Sequence, residues 1–316
     1  MMFKGEKGIL LQDQRLSAVI LPDRGGKIAS LRDLCRNREL LWQYEGEVYP
    51  ALISNAPFSE ADSSGFDDMF PSILPGPYGA EPWPDLYIPD HGEAWQLPWN
   101  IISNTTSTVS LELKGALFPY IIRKRISLTT ESDNRPALKI NYVLKNIGLS
   151  DFEWMWAAHP LFSVGPGTRF KLFLANGFQP VDLRLLNAYP SDILPEYGVE
   201  YPFPEGVGKL SIDRLPQDNY TMAIKYWFIN PSCIVGAEIE DMSSDYTFYL
   251  AWDASVLPYL GIFINNGAWA GQRNMALEPA SVPMDSIFQA KKAGFYPPRL
   301  APGALKKWFF NIVLPE

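Results

Sequence analysis

The chain has 316 residues, 47% of them hydrophobic and 20% charged, with a net charge of −8 and a pI near 5.0. These are the proportions of a globular protein with a large core. They exclude a dense basic stripe, so nucleic acid is not an expected partner, and no run of ~18 apolar residues offers a membrane span. The N-terminal stretch MMFKGEKGILLQDQ lacks the apolar run of a signal peptide, so a cytoplasmic protein is expected.

Period-2 alternation dominates in chain order. RLSAVIL and GKIASLRDL read as the first strands, and SEADSSGFDDMF as a short helical turn. A proline-rich connection then fills residues 71–90, too long for a hairpin and of a length often reserved for function. STVSLELK follows. In YIIRKRISLTT, Ile122, Lys124 and Ile126 share one face, with Arg123 and Arg125 on the other. In ALKINYVLKN, Leu138, Ile140, Tyr142 and Leu144 alternate with Lys139, Asn141, Val143 and Lys145. FEWMWAA precedes a second proline-rich connection, residues 189–206. CIVGAEI, YTFYLAW, YLGIFIN and KKWFFNIVL complete the strands, with a helical turn in SIFQAKKAG. The 28 prolines and 23 glycines cut the chain into short pieces. Many short strands with turn signals between them predict an all-β protein, a sandwich or barrel with few short helices. Without a repeat or a linker-like shift in composition, residues 1–316 read as a single domain.

Only two histidines are present, His91 in DHGEAWQLPW and His159 in WMWAAHPLFSV. Histidine titrates near neutrality without help. Pro160 disfavours helix at the residue before it, which predicts His159 at a strand end. Glu278, in ALEPASVP, has the same setting: a polar residue at the end of an apolar strand, followed by proline. Cys35 and Cys233 form no metal-binding spacing and read as reduced thiols in or near the core. Of the 10 tryptophans most belong to the core, with Trp95 the first choice for a ligand-stacking wall. Asp253 and Asn265 are further candidates for binding hydroxyl groups, and NNG at 265–267 is a turn signal. Glu93 reads as a solvated neighbour.

Five segments in order resemble the aldose 1-epimerases, or galactose mutarotases. They are LPDRGGKIASLRDLCRNRELLW, GFDDMFPSI, DHGEAWQLPW, HPLFSV and ALEPASVPMDS. The asparagine–arginine pair typical of true galactose mutarotases is not evident before GFDDMFPSI, which points to a divergent member. The resemblance implies a galactose-mutarotase-like β-supersandwich of large twisted antiparallel sheets whose cleft holds a free sugar. It places a general acid at His159, a general base at Glu278 and a second histidine, His91, near the ring oxygen. Asp67 and Asp68 then match the acidic end of the second segment and are expected at sugar hydroxyls. Anomer interconversion removes a proton from the C1 hydroxyl and delivers one to the ring oxygen, so a carboxylate and an imidazole suit it, and no cofactor or metal is required. A nearby carboxylate is expected to keep His159 protonated.

Other readings stand beside this one. A carbohydrate-binding protein on the same scaffold needs no acid–base pair. A glycoside hydrolase needs two carboxylates, which Asp68 and Glu278 would supply while leaving the histidines unexplained. A zinc site from His91, His159 and a carboxylate lacks a supporting spacing.

Overall fold

The computed structural model describes residues 1–175, 183–189, 200–201, 213–216, 221–229, 231 and 234–316. Cys233 and most of the second proline-rich connection lie outside these. Two large antiparallel sheets dominate. The first runs, in spatial order, Asn100–Asn104, Thr108–Lys114, Tyr120–Thr130, Pro136–Asn146, Leu305–Val313, Tyr246–Trp252, Ile234–Asp241 and Arg169–Leu174. The second runs Glu200–Tyr201, Leu183–Tyr189, Met222–Phe228, Tyr259–Asn266, Arg273–Ala280, Ala157–Pro160, Phe66–Met69, Lys27–Asp33, Leu16–Leu21 and Ile9–Gln12. Ile287–Lys292 forms the expected helical turn, capped by Ser286. Around the other one, only Phe58–Glu60 winds, as a 3₁₀ turn, and GFDDM turns out to be strand.

The first sheet follows its sequence pattern closely. In Tyr120–Thr130 the buried residues are Tyr120, Ile122, Lys124, Ile126 and Leu128, and Arg123 and Arg125 face solvent. Period 2 puts every second side chain on one face, so one face packs and the other is wet. The register continues this: Lys124 lies opposite Tyr142, and Tyr142 opposite Trp308. Tyr142, Trp154, Trp156 and Trp308 pack as a cluster with ring centroids 4.8–5.5 Å apart. The tryptophans of WMWAA thus fill the core.

The second sheet breaks the alternation. Every residue of Leu16–Leu21, Phe66–Met69, Ala157–Pro160 and Met222–Phe228 is buried. Its inner face packs toward the first sheet. Its outer face is covered by loops, including the first proline-rich connection, and polar residues of the strands are trapped beneath them. Cys35, expected near the core, is exposed instead, in the turn after Lys27–Asp33.

Candidate active site

The trapped residues form a row across adjacent strands of the second sheet. Strand Phe66–Met69 pairs with Ala157–Pro160 so that Asp67 lies opposite His159. On its other side Ile28 lies opposite Phe66, which sets Lys27 beside Asp67. Ala157 lies opposite Ala280, and the same antiparallel register brings His159 beside Glu278. Glu278 faces Gly261 in the next strand, and Lys225 follows one strand further. Lys27, Asp67, His159, Glu278 and Lys225 are therefore neighbours in space, although they come from five separate stretches of chain.

Nε2 of His159 is 3.9 Å from Oε1 of Glu278. Oε1 of Glu278 and Nδ1 of His159 have no hydrogen-bond partner among the described residues, and Glu278 is fully buried. The other carboxylate oxygen, Oε2, accepts a hydrogen bond from Nζ of Lys225. Burial pushes the Glu278 pKa up, and Lys225 pulls against it. Burial also holds the His159 pKa well below the ordinary histidine value, helped by the charges of His91, Lys225 and Lys27. This corrects the expectation that a carboxylate keeps His159 protonated. In this closed site desolvation and the neighbouring cations both favour the neutral imidazole.

His91 enters from the loop, its ring 5.2 Å from that of His159. Its backbone sits at φ +57°, and its N–H donates to the Ile73 carbonyl at 2.6 Å. Asp90 Oδ1 lies 2.9 Å from Nδ1 of His91, and Asp90 Oδ2 accepts the Phe58 N–H at 2.8 Å. Burial opposes ionisation of Asp90, but His91 outweighs it and lowers its pKa. An ionised carboxylate only accepts, which assigns the hydrogen to Nδ1 of His91.

Phe58 roofs the histidines. Its ring stacks on His91 at 4.2 Å and meets His159 edge-on at 5.1 Å and Trp95 at 5.0 Å. It is the one buried residue of the segment 51–61. The segment is clamped at both ends by Arg24, which donates to the Pro50 carbonyl at 2.6 Å and to Asp62 at 2.9 Å. Trp95 is buried behind Phe58, its Nε1 donating to the Asp90 carbonyl, so Trp95 supports the roof and Phe58 holds the place expected for a stacking wall. Phe58→Ala opens this face to water. The His159 resonance, one of only two histidine signals in the spectrum, is expected to titrate at higher pH in that variant; an unmoved titration would show that the ring does not desolvate it.

Asp67 and Asp68 separate. Consecutive strand residues point to opposite faces, and only Asp67 faces the histidine row. Asp68 points between the sheets, where it accepts from Lys124 at 2.5 Å and Trp156 Nε1 at 3.2 Å. Its expected contact with a sugar hydroxyl, and its pairing with Glu278 as a hydrolase, are replaced by this inter-sheet bridge. Lys27 serves both Asp62 at 2.9 Å and Asp67 at 2.5 Å. Burial opposes both carboxylates. Lys27 and Arg24 nevertheless hold Asp62 at about 2, whereas Asp67, buried and beside the Asp62 charge, is pushed up to about 6.

The sign of the Asp67 shift makes a prediction. A carboxyl raised from 3.8 to about 6 stabilises the folded chain below the lower value and loses that contribution as pH rises through the higher one. Asp67→Asn removes the titration. Its urea midpoint, compared with that of the unsubstituted chain, should therefore be more favourable at pH ~7 than at pH ~4. An equal difference at both pH values would contradict the assignment.

Three further expectations resolve differently. Asn265 is buried and bonded at both ends to the Trp269 backbone, so it secures a turn longer than NNG predicted. Asp253 caps the turn after its strand by accepting from the Ser255 N–H and hydroxyl. Glu93 is buried rather than solvated, and Oε2 accepts the N–H groups of Ala116 and Leu117. Lys27, Lys225 and Phe58 were missed. The two lysines had a signal, a single cation inside the apolar runs GGKIAS and MAIKYWF. Phe58 had none. A cavity of about 460 Å³ lined by Leu74, Tyr78, Ile88, Met284 and Phe288 contains none of the row.

Two large antiparallel sheets, one carrying the row of polar residues on its loop-covered face, are the architecture this chain shares with solved galactose mutarotase-like proteins. The aldose 1-epimerase family model matches residues 82–186, about a third of the chain, which include both histidines. Solved structures agree over the full length. A galactose mutarotase-like protein from Clostridium acetobutylicum is similar at 18% identity, covering 100% of this chain and 97% of that one, with TM-score 0.69. One from Lactobacillus casei is similar at 18% identity, covering 98% and 100%, with TM-score 0.67. An aldose epimerase homologue from C. elegans is similar at 11% identity, covering 98% and 99%, with TM-score 0.60. No curated protein matches by sequence. The chain has the galactose mutarotase-like fold. Among the described residues no helix is long and apolar enough to cross a membrane.

Proposed function

We infer that the chain interconverts the α and β anomers of a free sugar by ring opening and reclosure. The observation that carries this reading is the buried, unpartnered Oε1 of Glu278 lying 3.9 Å from Nε2 of His159. An unsatisfied buried acceptor costs ~1–3 kcal/mol, so a site that keeps one has a use for it.

Glu278 Oε1 takes the proton of the C1 hydroxyl. The O–H electrons become the C1 carbonyl bond, the bond from C1 to the ring oxygen breaks, and His159 delivers a proton to that oxygen. Rotation about C1–C2 and the reverse transfers close the ring on the other face. His91 sits beside His159 to contact the ring oxygen, and Asp67 offers its unpartnered Oδ1 to a hydroxyl. For His159 to act as the acid it must be charged, and the closed site favours its neutral form. Desolvation is the largest cause, so a sugar that displaces Phe58 with polar surface raises the His159 pKa as it binds. The roof thereby links substrate entry to charging of the acid.

The test is NMR exchange between α and β anomers of a panel of hexoses, with and without the protein. Exchange faster than in buffer supports the enzyme. Binding without faster exchange assigns the chain to carbohydrate binding alone, and absence of both overturns the reading.

A further inference from the structure

Lys225 is the one cation in the apolar strand MAIKYWF, and its side chain is 11% exposed. Its ammonium donates to Oε2 of Glu278, lies 5.4 Å from the centre of the Trp227 ring and is 4.0 Å from Oδ1 of Asp285. Asp285 is already engaged, accepting from Trp227 Nε1 at 3.1 Å, so Glu278 is the closer anion. The two partners stand two strands apart and meet because the strand between them carries glycine opposite Glu278. A Cβ on Gly261 would lie 3.2 Å from Oε2 and 3.0 Å from the Trp227 ring, in the space the carboxylate crosses.

We propose that Lys225 is a positioning residue for Glu278: by holding Oε2 it leaves Oε1 as the single oxygen that accepts the proton, and keeps that oxygen turned to His159. This deepens the reading of Glu278 as the base and rests on it. The charged and titratable groups facing Glu278 are Lys225 from Met222–Phe228, Asp285 beyond its own strand, His159 from Ala157–Pro160 and His91 from the loop. Asp285 disfavours the carboxylate. Lys225 supplies the closest compensating charge, and its loss leaves a buried carboxylate without a counterion.

The experiment measures the pH profile of kcat/KM for anomer exchange with Lys225→Met and Lys225→Arg. In parallel, infrared spectroscopy follows the Glu278 carboxyl, identified by its absence in Glu278→Gln. Lys225→Met is expected to move the acid limb upward by about 1–3 pH units and to lower exchange at pH ~6 about tenfold or more. The infrared titration should move in step, and Lys225→Arg should leave both near their original positions. If Lys225→Met does not fold, Lys225→Gln keeps a donor for Oε2 without the charge, and the same upward shift is expected. A lysine that instead binds substrate would raise KM and leave the limb and the infrared titration in place, which would overturn the proposal. The infrared titration needs no turnover. Were the chain to catalyse no exchange, an unshifted carboxyl would still refute the role of Lys225 and a shifted one would support it.

Discussion

Glu278→Gln is expected to slow anomer exchange by about 10²–10⁴-fold, the usual contribution of a positioned base. The substitution keeps the size and shape of the side chain and an oxygen for Lys225 to donate to, and removes the basicity together with the charge. The fold should hold, because the side chain is packed from several strands and Asp285 remains 4.0 Å from the Lys225 ammonium. His159→Ala should cost a similar factor. The two substitutions together should cost little more than either alone, since one proton cycle needs both groups. Exchange rates by NMR for the single and double variants, with folding checked by near-ultraviolet circular dichroism, decide the matter. Exchange that survives Glu278→Gln would move the base elsewhere, and fully additive losses would argue that the two side chains act on separate steps.

Gly92→Ala should destabilise the fold by about 3–5 kcal/mol, among the larger effects a single methyl can have. Gly92 sits at φ +75°, where a side chain is strained. A Cβ there would also lie 2.0 Å from the Phe70 carbonyl oxygen and 2.8 Å from the nitrogen of Pro71. Those atoms belong to the backbone that follows Phe66–Met69, so nothing flexible can give way. His91 precedes Gly92 with its own N–H tied to Ile73, and a shift here carries the histidine away from His159. Gly303→Ala is the control: φ is +74° there, but nothing lies within 4 Å of the added carbon, so only backbone strain of about 1–2 kcal/mol is expected. Urea midpoints of the two variants make the comparison. Equal losses would mean that the close approach of residues 70 and 92 is not what fixes the His91 loop.

Much of this was written in the sequence. Alternation located the strands of the first sheet because those strands have one wet face, and polarity then records orientation residue by residue. The settings of His159 and Glu278, each before a proline in an apolar run, were legible for a related reason: a polar residue costs free energy there unless it has a task. The second sheet was harder. Strands buried on both faces lose the alternation, and period alone does not say which face meets the loops. That is why Asp67 and Asp68 looked equivalent, although adjacent strand residues must diverge, and why Asp68 proved to bridge the sheets to Lys124.

The sequence by itself determined the all-β class, the kinds of residue available for proton transfer, and the segments that carry them, because these depend on local period and on side-chain chemistry. Only the tertiary structure decided their order across the sheet, Lys27 to Asp67 to His159 to Glu278 to Lys225. Strand pairing in this sheet joins positions up to 123 residues apart, from Asp67 opposite His159 to Ala157 opposite Ala280 and Ile28 opposite Phe66, and no local pattern encodes that register. The lowering of the His159 pKa was decided there too. Charge on an imidazole depends on the water around it, and it is Phe58, from a segment with no distinguishing motif, that shuts the water out.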